Sequence, residues 1–381
     1  DVLLGSGPAG LTAAVYAARG GLSALVIGGP EPGGALMLSR SVENLPFAGA
    51  GPGPKLVAGL VKQAAGFGVR FREGSARAVA PAGSAGEVDG RLLHVELDDG
   101  SLARGRSVIV ASGATEQWLG LPGEDHLRGR SLHTCAYCDA RFYEGRDVCV
   151  VGGGDGALEA ASYLARVARS VTLIHRRDRW RASVAAARRV EALPQIHIMR
   201  PYVVDSWREE SRRLVGANVR RAARGPAQQV NCSGAFVVIG REPRVGFLPA
   251  LVRRDARGFV LPERHTMTSL PGVFVAGQVA DGRYQQAVTA AAAGAQAAMD
   301  AGRWLDGELD SGTGGAGDAR REPLPEDRAA VLPESSWACV GVASGAAAAA
   351  LLWLAVPQSC RAAVGSRALR WLSRQPRGLH S

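Results

Sequence analysis

The sequence predicts an α/β protein built from two three-layer units, because one arrangement occurs in it twice. An apolar strand, a glycine-rich turn and an alanine-rich helix follow one another over residues 2–19 and again over residues 148–167. A third strand-and-turn, residues 272–277, stands shortly before a long Ala-rich helix at 288–305. At 381 residues the chain is long enough for two such domains plus a tail.

Val2, Leu3 and Leu4 read as a strand that lacks its first residues, Gly5-Ser6-Gly7-Pro8-Ala9-Gly10 as the turn, and residues 11–19 as the helix. Glycines at this spacing let the backbone approach a pyrophosphate seated on the helix N-terminus, which makes the unit a Rossmann-like dinucleotide site. The second strand, 23–27, is expected to end in an acid for the adenosine ribose; it ends in Gly28 and Gly29, and Glu31 is the nearest carboxylate. Gly33, Gly34 and residues 42–46 follow as loop. Residues 55–68 carry Leu56, Leu60, Val61 and Ala64 on one helical stripe. Residues 69–71 and 91–97 read as strands of a small sheet, with a turn at 98–100. Residues 107–111 read as a buried strand whose end, Ser112-Gly113-Ala114, brings backbone near the first dinucleotide. Residues 119–123 read as a crossover between domains.

Cys135-Ala136-Tyr137-Cys138-Asp139 stands just before the second glycine turn. Two cysteines at this spacing can close a small disulfide, and a carboxyl group beside the second can exchange the proton that thiol chemistry requires. Structural thiols and half of a zinc site are the other readings; zinc requires further ligands at short spacing, and Cys149, Cys232, Cys339 and Cys360 stand alone. After the strand at 148–151, Gly152, Gly154, Gly156 and Ala157 form the second turn, with Asp155 inside it. The next strand, 171–174, ends in His175-Arg176-Arg177, with Arg181 beyond. Arginines at this distance from the glycines accommodate the extra phosphate of NADP, where an acid would select NAD. Residues 208–224 are arginine-rich and read as an exposed hairpin or loop, 235–240 as a core strand, and 241–243 as a link back to the first domain. Tyr284-Gln285-Gln286-Ala287 opens the last helix and aims a second helix N-terminus at a cofactor.

The net charge of +10 comes from scattered arginines with no aromatic-interleaved basic motif, which argues against nucleic acid. Six cysteines in a chain this long do not form a secreted disulfide framework and point to a reducing compartment.

Taken in order, residues 5–10, 42–46, 135–139, 152–157, 175–183 and 272–287 resemble the bacterial-type, low-molecular-weight thioredoxin reductases, over residues 1 to about 306. The resemblance implies two Rossmann-like domains: an FAD domain split into 1–113 and 243–306, around an NADPH domain, 114–242, that carries the redox disulfide. It places FAD on Gly5, Ser6, Gly7, Pro8, Ala9, Gly10, Gly33, Gly34, Asn44, Ala76, Gln278, Gln285, Gln286 and Ala287. It places NADPH on Gly152, Gly154, Asp155, Gly156, Ala157, His175, Arg176, Arg177 and Arg181. The implied reaction passes hydride from NADPH to FAD and then reduces a Cys135–Cys138 disulfide. Cys138 faces the flavin, Cys135 attacks the partner, and Asp139 works as acid and base. The implied partner is thioredoxin or a similar small dithiol protein, the implied assembly a homodimer, and the implied compartment the cytoplasm or another reducing space. Because the cysteines share a domain with the nicotinamide site, both cannot face one flavin at once, so the domains are expected to rotate.

Three positions depart from that pattern: Gln278 stands where an aspartate is usual, Gln285 where an arginine is usual, and Ala35 where a glutamine is usual. Each removes a charge or polar contact near FAD, so weakened rather than lost FAD binding is expected. A flavoprotein acting on another dithiol, and a non-catalytic flavoprotein-like scaffold, are the competing functions. Residues 307–336 read as a linker rich in Gly, Pro and charge. Residues 337–360 then carry no charge, and Arg361, Arg367, Arg370, Arg374 and Arg377 follow without an acid. Residues 337–381 read either as a membrane-associated tail or as a disordered extension.

Overall fold

Alternating buried side chains on very short strands set the layers. The structure is a computed structural model that describes residues 1–82, 92–222 and 225–308, all within one compact unit, Asp1–Thr313. The chain first forms β1 (Val2–Leu4), α1 (Pro8–Arg19), β2 (Leu25–Ile27), α2 (Gly53–Gly66) and β3 (Arg70–Arg72). A small antiparallel sheet of β4 (Ala76–Pro81), β5 (Leu93–Leu97) and β6 (Leu102–Gly105) follows, then β7 (Val108–Val110). Next come β8 (Ala114–Glu116), α3 (Glu124–Leu127), β9 (Leu132–His133), α4 (Ala136–Asp139), β10 (Asp147–Val151), α5 (Asp155–Leu164), β11 (Ser170–Ile174), α6 (Val184–Glu191) and β12 (Ile196–Met199). β13 (Tyr202–Glu210), β14 (Arg213–Arg221) and β15 (Gln228–Asn231) make a second antiparallel sheet. β16 (Gly234–Val237) and β17 (Arg241–Pro243) precede β18 (Val273–Val275) and α7 (Ala287–Leu305).

Two five-stranded parallel sheets organise the rest, in the orders β18-β7-β1-β2-β3 and β12-β11-β10-β16-β9. In the first, Leu3, Val26, Ile109 and Phe274 pack on one face against the alanines of α1 and α7. Val2, Leu4, Val108, Val110, Val273 and Val275 pack on the other, against Val79, Val95 and Leu97 of the small sheet. A parallel sheet buried on both faces needs a cover on each side, and this is the origin of the three layers. The second sheet repeats the division, with Val148, Val150, Leu173 and Phe236 facing α5 and α6. Its opposite face, with Val151, Ile174 and Val237, is covered by the β13–β15 sheet. β8 and β17 pair antiparallel, Glu116 opposite Arg241, so both chain passages between the sheets run side by side.

The arginine-rich stretch belongs to a hairpin, as expected, but one face of that hairpin is buried and not exposed. It is a two-stranded hairpin of nine residues a side, and Trp207, Leu214, Ala217 and Val219 bury one face of it. The arginines are half-buried at 208 and 220 and exposed at 212, 213 and 221, and their adjacent pairs concealed the period-two pattern. The helix after the second glycine turn starts at Asp155, earlier than expected, because the turn itself forms its first residues. The strand expected from residue 91 begins at Leu93, and residue 91 lies outside the described residues. The linker at 307–336 and the tail at 337–381 lie outside them too, apart from residues 307 and 308. No described helix is long and apolar enough to cross a membrane.

α1 and α7 touch through small residues. A Cβ on Gly294 would lie 2.1 Å from the carbonyl oxygen of Ala9, which is backbone and cannot swing aside. Alanine gains about 1 kcal/mol of helix propensity over glycine, whereas overpacking a core costs about 1–3 kcal/mol. Gly294→Ala is therefore expected to lower stability on balance, read as a reduced midpoint in urea unfolding.

Candidate functional site

Both glycine turns lead into helices whose N-termini lack a side-chain cap. Gly7 precedes α1 and Gly154 precedes α5, each extended and without a side-chain hydrogen bond to the first turn. The leading backbone N–H groups of both helices are left for an anion. α6 is different, since Ser183 Oγ accepts the Ala186 N–H at 3.3 Å. At α7, Gln286 and Thr289 close a capping box that takes up two of the leading N–H groups, at Gln286 and Thr289.

A cavity of about 710 Å³ lies over the first turn. Gly5, Ser6, Gly7, Pro8, Ala9 and Gly34 line it, as do Asn44, Ala76, Gln278, Gln285, Gln286 and Ala287. Gly10 and Gly33 stand behind this wall and shape it. A Cβ on Gly10 would meet the Gly5 carbonyl oxygen at 1.9 Å, while Gly33 N–H donates to Ser6 Oγ at 2.9 Å. Ser6 Oγ in turn donates to the Gly28 carbonyl at 2.9 Å, tying the turn to the end of β2. Around Gly7 the space is open, the nearest atoms to a hypothetical Cβ being 4.0 Å away. This open cradle, the uncapped helix and the cavity volume fit a dinucleotide of FAD size.

The expected polar losses at this wall come with a gain elsewhere. Gln278 Nε2 donates to the Gln285 carbonyl at 3.4 Å, and the Gln285 side chain accepts from Arg241. Arg241, read from sequence only as a link, is a largely buried cation in the wall, 3.7 Å from Glu116. Burial pulls its pKa down, and Glu116 and Asp281 oppose that pull. Its position right after a core strand that returns to the first unit was the signal available. Glu31, the carboxylate nearest the end of β2, accepts from Arg244 Nη2 at 2.6 Å, and both line the cavity. Asn44 donates to Gln286 Oε1 at 3.2 Å, fixing the loop at 42–46 to the start of α7.

Cys135, Cys138 and Asp139 line the same cavity. One turn of α4 brings the two sulfurs together in a disulfide, S–S 2.11 Å, and the Cys138 N–H points at Cys135 Sγ, 3.2 Å away. A backbone donor at that sulfur favours its thiolate once the bond is reduced. Cys149 and Cys232 are buried. Their mutual hydrogen bond, with burial added, pushes the Cys149 thiol well up and away from reactivity. Among the described residues no group of three or more His, Cys, Asp and Glu is placed to hold a metal.

The second turn, with Gly152, Gly154, Asp155, Gly156 and Ala157, is not part of that cavity wall, and neither are His175, Arg176, Arg177 and Arg181. Asp155 Oδ1 accepts the Ser183 N–H at 2.9 Å, which draws its pKa down. Arg181 N–H donates to the Gly153 carbonyl at 2.9 Å, so the arginine loop folds back over the glycines. The His175 ring fills the space a Gly153 side chain would take, 2.1 Å from that Cβ, and its Nε2–H donates to the Arg179 carbonyl at 3.1 Å. Burial foremost, and Arg177, Arg200 and Arg176 in addition, hold His175 below the usual imidazole value. Arg176, Arg177 and Arg181 are exposed and make no ion pair among the described residues. Arg200, unnoticed in the sequence, stacks 4.4 Å over Trp180, which in turn stacks on His175.

Residues 2–294 match the family described as "Pyridine nucleotide-disulphide oxidoreductase". The chain is 41% identical over 306 residues to the thioredoxin reductase of Mycolicibacterium smegmatis, covering 80% of this chain and 96% of that one. It is 40% identical over 306 residues to the bifunctional thioredoxin reductase/thioredoxin of Mycobacterium leprae, where the match spans 65% of that protein's length. Among solved structures, the thioredoxin reductase of Streptococcus pyogenes MGAS5005 aligns with a TM-score of 0.74 at 31% identity, covering 80% of this chain and 97% of that one. A matched family over most of the chain, a bonded cysteine pair and two uncapped glycine turns agree: the chain belongs to the pyridine nucleotide-disulphide oxidoreductases.

Proposed function

We propose that this chain is an NADPH-dependent thioredoxin reductase carrying FAD. The observation that carries the reading is that the Cys135–Cys138 disulfide and the first glycine turn share one cavity. When bound, FAD supplies the two-electron relay between the nicotinamide and the sulfurs. Gly5 to Ala9 and the start of α1 hold its pyrophosphate. Arg241 offers a cation at the wall where Gln278 and Gln285 carry amides, so FAD affinity is reduced less than those two substitutions alone suggest. Arg176, Arg177 and Arg181 take the 2′-phosphate of NADPH. Cys138 faces the flavin, Cys135 attacks the partner disulfide through a mixed disulfide, and Asp139 moves the proton.

The NADPH residues lie away from the cavity that the disulfide occupies, which supports a rotation between two arrangements during turnover. Glu43 and Arg141, paired at 2.7 Å across that cavity wall, are both exposed enough to exchange this contact for water. The exposed Phe47, beside a shallow cavity lined by Leu45, Pro46 and Leu60, supports a homodimer. A buried free Cys149 and Cys232 suit a reducing compartment.

Purified protein is expected to be yellow, to bleach anaerobically with NADPH and to reduce thioredoxin with NADPH in steady state. Colourless protein that takes up no added FAD, or bleaching with no thioredoxin turnover, contradicts the proposal.

A further inference from the structure

The loop that joins β11 to α6 carries three exposed arginines on a base of stacked flat groups. The rings of His175 and Trp180 lie nearly parallel, 15° between planes and 5.4 Å between centroids, and the Arg200 guanidinium lies 4.4 Å over the Trp180 ring. Trp180 Nε1–H donates to Glu191 Oε1 at 3.0 Å, and the same oxygen stands 3.6 Å from Arg200 Nη2. The indole is therefore held in its plane by α6 and stacked with groups that follow β11 and β12. It is half-buried and packs with Ala182, Ala186 and Ala187 against the core beneath.

Backbone bonds pin both ends of this loop. His175 N–H donates to the Met199 carbonyl at 2.9 Å, and the N–H groups of Arg181 and Ala182 both donate to the Gly153 carbonyl, at 2.9 and 3.2 Å. Between these ends, Arg176, Arg177, Asp178 and Arg179 are exposed. Besides burial, the charges of Arg177, Arg200 and Arg176 all reach the His175 ring and lower its pKa, which places three cations around one short stretch of chain. Like charges so gathered repel, and a loose loop would let them spread into solvent. A planar guanidinium on an indole face gains from the stack what it loses to repulsion. Trp180 directly precedes Arg181, so the plane of the indole also sets where Arg181 leaves the loop.

Resting on the reading of Arg176, Arg177 and Arg181 as the site of the 2′-phosphate, we propose that Trp180 is a positioning residue for nucleotide selectivity. Stacked with His175 and Arg200, it holds the arginines together before the nucleotide arrives. A site gathered in advance spends less of its interaction with the phosphate on ordering side chains, so affinity rises. The benefit falls on the phosphorylated nucleotide alone, because the rest of the nucleotide is recognised by the glycine turn and the start of α5, which the stack does not touch.

The test is calorimetric titration of the full chain, oxidised and with its flavin bound, with NADP⁺ and separately with NAD⁺, which differ only in the 2′-phosphate. Trp180→Leu keeps an apolar side chain and removes the flat face. It is expected to weaken NADP⁺ about tenfold and to move NAD⁺ less than about twofold. Trp180→Phe keeps a face and loses only the bond to Glu191, and is expected to recover most of the NADP⁺ affinity. An equal loss for both nucleotides in Trp180→Leu would mark a purely structural role and overturns the proposal. So does an unchanged preference for NADP⁺, or a Trp180→Phe variant no better than Trp180→Leu. Wild-type protein that binds the two nucleotides alike defeats the NADPH assignment itself, and the proposal with it. Should Trp180→Leu not fold, Arg200→Lys decides, since it keeps the charge and loses the planar group. It is expected to weaken NADP⁺ about threefold with NAD⁺ unmoved, and an unchanged NADP⁺ affinity overturns the proposal.

Discussion

Cys135→Ser is expected to abolish thioredoxin reduction while NADPH still bleaches the flavin. The sulfur that forms the mixed disulfide is lost, and a serine hydroxyl at this site is neither acidic enough to ionise nor able to bond stably to sulfur. The expected loss of turnover is on the order of 10³-fold or more, about 4 kcal/mol of transition-state stabilisation. Bleaching is expected to survive because the first glycine turn, with Ser6 tied to Gly28 and Gly33, is independent of the disulfide. Stopped-flow absorbance with NADPH alone, beside steady-state turnover with thioredoxin, separates the two steps. Equal loss in both assays would show that Cys135 supports the flavin site itself.

The second large effect is expected at the arginine loop. Arg176 and Arg177 are exposed, make no ion pair among the described residues, and follow the end of β11 in a loop whose Arg181 N–H bonds the Gly153 carbonyl ahead of α5. Hydrogen bonds from charged groups contribute about 1.5–3 kcal/mol each, so Arg176→Gln with Arg177→Gln is expected to raise KM for NADPH about 10²-fold. KM for NADH, which carries no 2′-phosphate, is expected to move little. His175, which precedes them and is bonded to the Arg179 carbonyl, is expected to hold the loop's shape in the variant. A parallel rise in both KM values would mean that the arginines orient the whole nucleotide and not its phosphate.

The glycine turns and the cysteine spacing were legible because each is a local arrangement: backbone approach at Gly5 and Gly152, and one helical turn joining Cys135 to Cys138. Val2, Leu3 and Leu4 were likewise legible as a strand, but not the face each covers, since all three are apolar and all are buried. What escaped depends on partners distant in the chain. Arg241 becomes a wall of the cavity only because β17 pairs with β8, and its meaning lies in residues 116 and 285. The buried His133 meets Asp139, Tyr143 and Phe236, a set that no spacing rule connects. The buried face of the β13–β14 hairpin was hidden by arginines among its more exposed residues, which carry the opposite signal. At α7 the glutamine that resembles a cofactor contact also caps its own helix, a dual use that composition does not reveal.

The central claim is that electrons from NADPH end on one sulfur pair. The most direct measurement is to add a small excess of NADPH anaerobically to native, flavin-loaded enzyme, alkylate, and locate the modified cysteines by mass spectrometry. The account predicts that Cys135 and Cys138 become labelled together, while buried Cys149 and Cys232 stay unmodified. A bleached flavin with Cys135 and Cys138 still bonded would contradict it.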